Sequence, residues 1–163
     1  MTADGQSASA HEPVVLARGK RFHRQVQHAY VAGLLGLSGG EAVERPIRRP
    51  DGTRQRADVL LLVSREPERQ RFVVEIKSTD WAGRTPVTRR RLFLRHLRQM
   101  HAYLDVLLED LGDEVDAVVA ALLYPRRPSA AVVQELEAVA LPKGIMIVFY
   151  DDMDWAAASG GSQ

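Results

Sequence analysis

Ala57-Asp-Val-Leu-Leu-Leu-Val63 and Arg71-Phe-Val-Val-Glu-Ile-Lys-Ser-Thr79 carry the strongest strand signals in this chain. Both are continuous apolar runs, and the break between them, Ser64-Arg-Glu-Pro-Glu-Arg-Gln70, is polar and contains a proline. That order predicts two strands joined by a hairpin loop. Alternate side chains of a strand share a face, so Phe72, Val74 and Ile76 point one way while Val73, Glu75 and Lys77 point the other. An acid and a base then stand side by side, and the hairpin brings Asp58 back toward Glu75.

Two carboxylates and a lysine on neighbouring strands suit phosphodiester hydrolysis. Hard divalent cations take one or two carboxylates plus waters and substrate phosphate. A cation so held polarises the phosphodiester and activates water, and a nearby ammonium orients the nucleophile or offsets developing charge.

An Asp followed on the next strand by Glu-x-Lys resembles the PD-(D/E)xK nuclease superfamily. Asp58, Glu75 and Lys77 carry the resemblance, with Ile76 between, whose backbone carbonyl in that family commonly completes the metal shell. A second match lies downstream in Gln99-Met-His-Ala-Tyr103, which resembles the Q-x-x-x-Y motif of the RecB-type branch. Near the start, Gly19-Lys-Arg-Phe-His23 resembles that branch's G-x-x-x-H. The resemblance implies a metal-dependent nuclease in which Asp58, Glu75 and the Ile76 carbonyl bind Mg²⁺ or Mn²⁺, with His23 as a further donor. Lys77 would position the attacking water, and Gln99 with Tyr103 would support the substrate phosphate or the lysine. DNA is favoured over RNA by the resemblance alone.

Composition sets outer bounds. The chain has 163 residues, 45% hydrophobic and 26% charged, which suits one globular domain with a real core. It has no cysteine, which excludes disulfides, thiolate zinc sites and the iron–sulfur cluster that some RecB-type relatives carry. Any metal must be held by oxygen or imidazole. The net charge of +1 says little, but its distribution says more. Arg84, Arg89, Arg90, Arg91, Arg95 and Arg98 form an acid-free segment, whereas Glu109 to Asp116 holds five acids and no base. The arginines are the candidate phosphate contacts; the alternative is a solvated helix face.

The remaining elements follow from periodicity. Val14 to Leu37 reads as a helix with Phe22, Val26 and Tyr30 on one stripe and His23 and Gln27 beside it. His28 is the weaker substitute for His23. Glu41 to Arg49 reads as a weak strand, and Pro50-Asp51-Gly52 as a turn. Glu44 and Asp51 are acids near the site in sequence, but Asp58 fills the ligand position. After the loop through Gly83 comes a long helix to about Asp110, with Phe93, Leu97, Met100, Leu104, Leu107 and Leu111 as its stripe. At about 100° per residue, Gln99 and Tyr103 share one flank of it, next to Leu92 and His96. Val115 to Tyr124 is a buried strand. Ser129 is placed to cap a helix displaying Val132, Leu136 and Val139, and Ile145 to Tyr150 is a last strand.

The predicted fold is α/β, a restriction-endonuclease-like αβββαβ core with an added αβ unit and a mixed central sheet flanked by helices. Residues 13–155 form the one domain; 1–12 and 156–163 are read as flexible tails. Residues 1–12 lack the apolar core of a secretory signal, and no run approaches the roughly 20 residues that span a bilayer. A soluble, cytoplasmic protein with no membrane contact is expected. Nucleic acid is the expected partner, with a targeting protein or a second copy of the chain as further candidates. Three readings stay open: a nuclease, a nucleic-acid-binding module on the same fold without chemistry, and an unrelated partner-binding αβ domain.

Overall fold

Val73, Val74, Glu75 and Ile76 are all buried, so the strand that carries them has both faces covered. The computed structural model describes residues 19–26, 45–48, 54–65, 68–111 and 117–152. Helix α1 occupies 19–26 in the described part. It is followed by β1 (Arg45–Arg48), β2 (Arg54–Ala57), β3 (Val59–Arg65) and β4 (Glu68–Ile76). Then come α2 (Pro86–Leu111), β5 (Ala117–Tyr124), α3 (Ala130–Ala140) and β6 (Ile145–Phe149).

The main sheet has the order β3-β4-β5-β6. β3 runs antiparallel to β4, whereas β4, β5 and β6 are parallel and are joined by helical crossovers through α2 and α3. A parallel pair needs such a crossover, and each crossover helix must bury its apolar stripe on the sheet. On one face Val73, Ala120, Leu122, Tyr124 and Phe149 pack with Phe93, Leu97 and Met100 of α2 and with Val133 and Leu136 of α3. On the other, Val74, Ile76, Ala121 and Leu123 pack with Val26 and Phe22 of α1. The molecule is therefore mixed α/β, a mixed sheet with helices on both sides.

Four expectations need correction. The segment before α2 holds four strands, not three, because the chain bends at Asp58 and, among the described residues, Arg54–Ala57 pairs with β1 in a separate two-stranded sheet. The hairpin loop is shorter than Ser64–Gln70, since the ladder continues to Arg65 opposite Glu68. On α3 the buried residues are Val133, Leu136 and Ala140, while Val139 is exposed and Val132 only partly covered. The small Ala140 lies against the fold with Val133, while Val132 and Val139 are turned to the flanks. Ser129 occupies the N-cap position, but its side chain makes no capping bond; its carbonyl accepts from Val133 N.

The α2 start is better determined. Thr85 Oγ1 accepts from Thr88 N at 3.3 Å and the Thr85 carbonyl from Arg89 N at 2.9 Å, with Pro86 as the first helical residue. This is the capping arrangement in which proline's missing N–H costs nothing. Gly144, at φ 68°, ends the turn after α3 in the left-handed region and lets β6 begin. No described helix is long and apolar enough to cross a membrane. Tyr30, Gln27, His28, Glu41, Glu44, Asp51 and both terminal segments lie outside the described residues.

Candidate active site

Glu75 and Lys77 project from the end of β4 toward α2, on the face shared with Val73, because strand alternation puts them there. Gln99 meets them from α2. Lys77 Nζ donates to Glu75 Oε1 and to Gln99 Oε1, both at 2.7 Å. Gln99 Nε2 donates to the same Glu75 Oε1 and to the Tyr103 hydroxyl, again both at 2.7 Å. The amide of Gln99 thus faces a cation with its oxygen and two acceptors with its nitrogen. Its orientation is fixed by this set.

Asp58 enters from the bend between β2 and β3. Its Oδ2 accepts from the backbone N of Ile76 at 2.8 Å, and its Oδ1 lies 3.4 Å from His23 Nδ1 of α1. Gly19, one turn earlier on α1, passes so close to Ser78 that a Cβ there would sit 3.3 Å from Ser78 Oγ. That close approach lets α1 bring His23 to Asp58.

Electrostatics set Glu75 apart. Burial, and then the Asp58 carboxylate, push its pKa from 4.5 up to about 7, while Lys77 opposes the shift. Its Oε2 is buried with no hydrogen-bond partner among the described residues. A buried carboxylate oxygen left unpaired is costly, and a cation would satisfy it. Burial also pushes Tyr103 up to about 12, keeping it a neutral phenol.

The donors fit a hard divalent cation. Asp58 and Glu75 offer carboxylate oxygens, the orphaned Oε2 among them, and the Ile76 carbonyl and His23 lie at the same place in the fold. Among the described residues no three His, Cys, Asp or Glu side chains form a metal-holding group. Two carboxylates, one backbone oxygen and waters make up the oxygen-rich shell that Mg²⁺ takes.

The structure therefore brings Asp58, Glu75, Lys77, Gln99, Tyr103 and His23 together. The arginines divide. Arg90, Arg91, Arg95 and Arg98 are exposed. Arg95 and Arg91 lie one and two turns before Gln99, on the flank that leads to the site. Arg84 is half-buried and donates from Nε to the Asp80 carbonyl at 2.6 Å. Arg89, expected among the phosphate contacts, is occupied elsewhere. Its NH2 and Nε donate to Glu135 of α3 at 2.7 and 3.2 Å, and its NH1 to the Arg84 carbonyl at 2.7 Å. This clamp between α2 and α3 has no local sequence signal, since its partners are 46 residues apart. The orphaned Glu75 oxygen was equally out of reach of pattern reading. No family model, curated protein or solved structure matches the chain.

Proposed function

We propose that the protein is a metal-dependent nuclease with a restriction-endonuclease-like core that hydrolyses phosphodiester bonds, with DNA as the substrate class the resemblance favours. The observation that carries this is the bonded set Glu75–Lys77–Gln99–Tyr103, with Asp58 held against the Ile76 amide beside it. Motif residues spread over 81 positions of the sequence, His23 to Tyr103, meet at the end of β4.

Asp58, Glu75 and the Ile76 carbonyl would hold Mg²⁺ or Mn²⁺, which when bound supplies charge stabilisation at the phosphoryl oxygens and a lowered pKa for water. Lys77, fixed by two acceptors, presents its remaining hydrogen to the attacking water or to a phosphoryl oxygen as negative charge builds. Gln99 positions Lys77 and Glu75 together, and Tyr103 fixes Gln99. His23 orients Asp58. The exposed Arg91 and Arg95 draw the phosphate backbone toward this point irrespective of sequence.

The test is incubation of the purified chain with single- and double-stranded DNA and with RNA, with Mg²⁺, with Mn²⁺ and with chelator. Cation-dependent cleavage is expected from the wild type and loss of about 10²-fold or more in Asp58→Ala and Lys77→Ala. Cleavage that persists in both folded variants refutes the assignment.

A further inference from the structure

At the carboxyl ends of β4, β5 and β6, beside the site, lies a cavity of about 610 Å³. Open parallel sheets bind ligands at this end, and the volume is that of a small-molecule pocket. Its described lining includes three arginines from three parts of the chain: Arg21 of α1, Arg84 before α2 and Arg126 after β5. None of them pairs with a carboxylate among the described residues. Asp80 is the one acid in that lining, and its Oδ1 already accepts from Ala82 N at 3.0 Å.

Three guanidinium groups against one carboxylate leave two positive charges. A phosphodiester carries one negative charge, whereas a phosphomonoester carries about 1.5 to 2 at pH 7. The cavity matches the monoester. Arginine is also the side chain whose forked donors suit phosphate oxygens best. In the same lining, Phe22 and Tyr150 meet edge to face with centroids 5.5 Å apart, and Gln25 Nε2 donates to the Tyr150 hydroxyl at 2.8 Å. Those rings give an apolar wall for a sugar or base.

The cavity adjoins the site along the chain at two points. Ser78, in its lining, follows Lys77 directly, and α1 sends Arg21 and Phe22 into the cavity while His23 reaches Asp58. We propose that this cavity captures the phosphorylated end of a nucleic-acid strand, so that the bond presented to Lys77 is close to that end. This rests on the nuclease reading of the adjoining site.

The test measures binding of the full chain in EDTA, where no cation-dependent cleavage occurs. Internally labelled short DNA strands of one sequence, ending in a 5′-phosphate, a 3′-phosphate or hydroxyls only, are compared by fluorescence anisotropy. One phosphorylated strand should bind about tenfold tighter or more, a gap of about 1.4 kcal/mol. The double variant Arg21→Gln/Arg126→Gln, both exposed positions, should lose that preference and keep its affinity for the hydroxyl-ended strand. Equal binding of all three strands overturns the inference, as does a preference unchanged in the double variant. A free nucleoside monophosphate that binds as tightly as the phosphorylated strand overturns it in favour of a small-molecule site. Cleavage that needs Lys77 without end preference defeats this inference alone. End preference without cleavage of any substrate supports the cavity and defeats the nuclease reading.

Discussion

Gln99 is the side chain on which the site's geometry depends, although it need not touch substrate. Its oxygen takes one hydrogen of Lys77, and its nitrogen bridges Glu75 and Tyr103. Gln99→Ala should leave the ammonium with Glu75 alone, free to rotate away from the phosphate. Supporting residues of this kind typically account for about 10- to 100-fold in activity. We expect kcat to fall by that amount with KM little changed, and Tyr103→Phe to fall less, since Gln99 keeps two of its three bonds. A KM effect with unchanged kcat would make Gln99 a binding residue instead. The site was legible at this scale because two periodicities, alternation on β4 and the four-residue step on α2, place Glu75, Lys77, Gln99 and Tyr103 without any tertiary knowledge. What stayed hidden is what three-dimensional burial alone creates: the orphaned Glu75 Oε2 and its pKa near 7.

Among the elements, α2 carries most of the tertiary information. Of its stripe Phe93, Leu97, Met100 and Leu107 are buried as helical spacing requires and Leu104 is partly covered, but three further residues, His96, Tyr103 and Val106, are buried with them. His96 is 4% exposed and its Nδ1 shares a 2.9 Å hydrogen bond with the Tyr124 hydroxyl of β5. Trp81, fully enclosed, leans its ring on both of them and on Phe93. Burial, and then the positive charges of Lys77, Arg95 and Arg84, pull the His96 pKa from 6.5 down to about 3. A pKa depressed in the folded state means that the unfolded chain binds the proton more readily. Stability from this group is therefore complete above pH 6.5 and is lost as pH falls toward 3, by on the order of 4 kcal/mol in all. Denaturant unfolding at pH 7, 5.5 and 4 should show a steeper loss for the wild type than for His96→Leu, whatever their difference at pH 7; parallel losses would contradict the assignment. The sequence placed His96 on the correct flank but could not show its enclosure. The α3 register slipped by one residue for a related reason. Ala140 carries little hydrophobic signal, yet its small side chain is what lies against the fold.

For the whole molecule, the order from β3 onward was legible because those runs are continuous apolar stretches or strongly periodic. The separate β1–β2 sheet and the cavity at the strand ends were not. Both depend on distant partners, and Arg21, Arg84 and Arg126 share no local pattern. The same distinction divides the arginines by their surroundings. Arg91 and Arg95 are exposed and lie on the α2 flank that leads to Gln99, whereas Arg89 is 14% exposed at its side chain and tied to Glu135. Neutralising a phosphate contact removes counterion release, so each lost contact should flatten the slope of log affinity against log salt by about 0.7 to 0.9. Arg91→Gln/Arg95→Gln should therefore weaken DNA binding at low salt and reduce that slope, with thermal stability almost unchanged. Arg89→Gln should do the reverse. Its loss leaves Glu135 without its cation and the Arg84 carbonyl without a donor, at about 1 to 3 kcal/mol for partly buried charge-assisted bonds, while the salt slope stays put. Titrations at three salt concentrations, beside melting curves, separate the two. A flattened slope in Arg89→Gln, or an unstable Arg91/Arg95 variant, would show that the basic face has been drawn on the wrong side of α2.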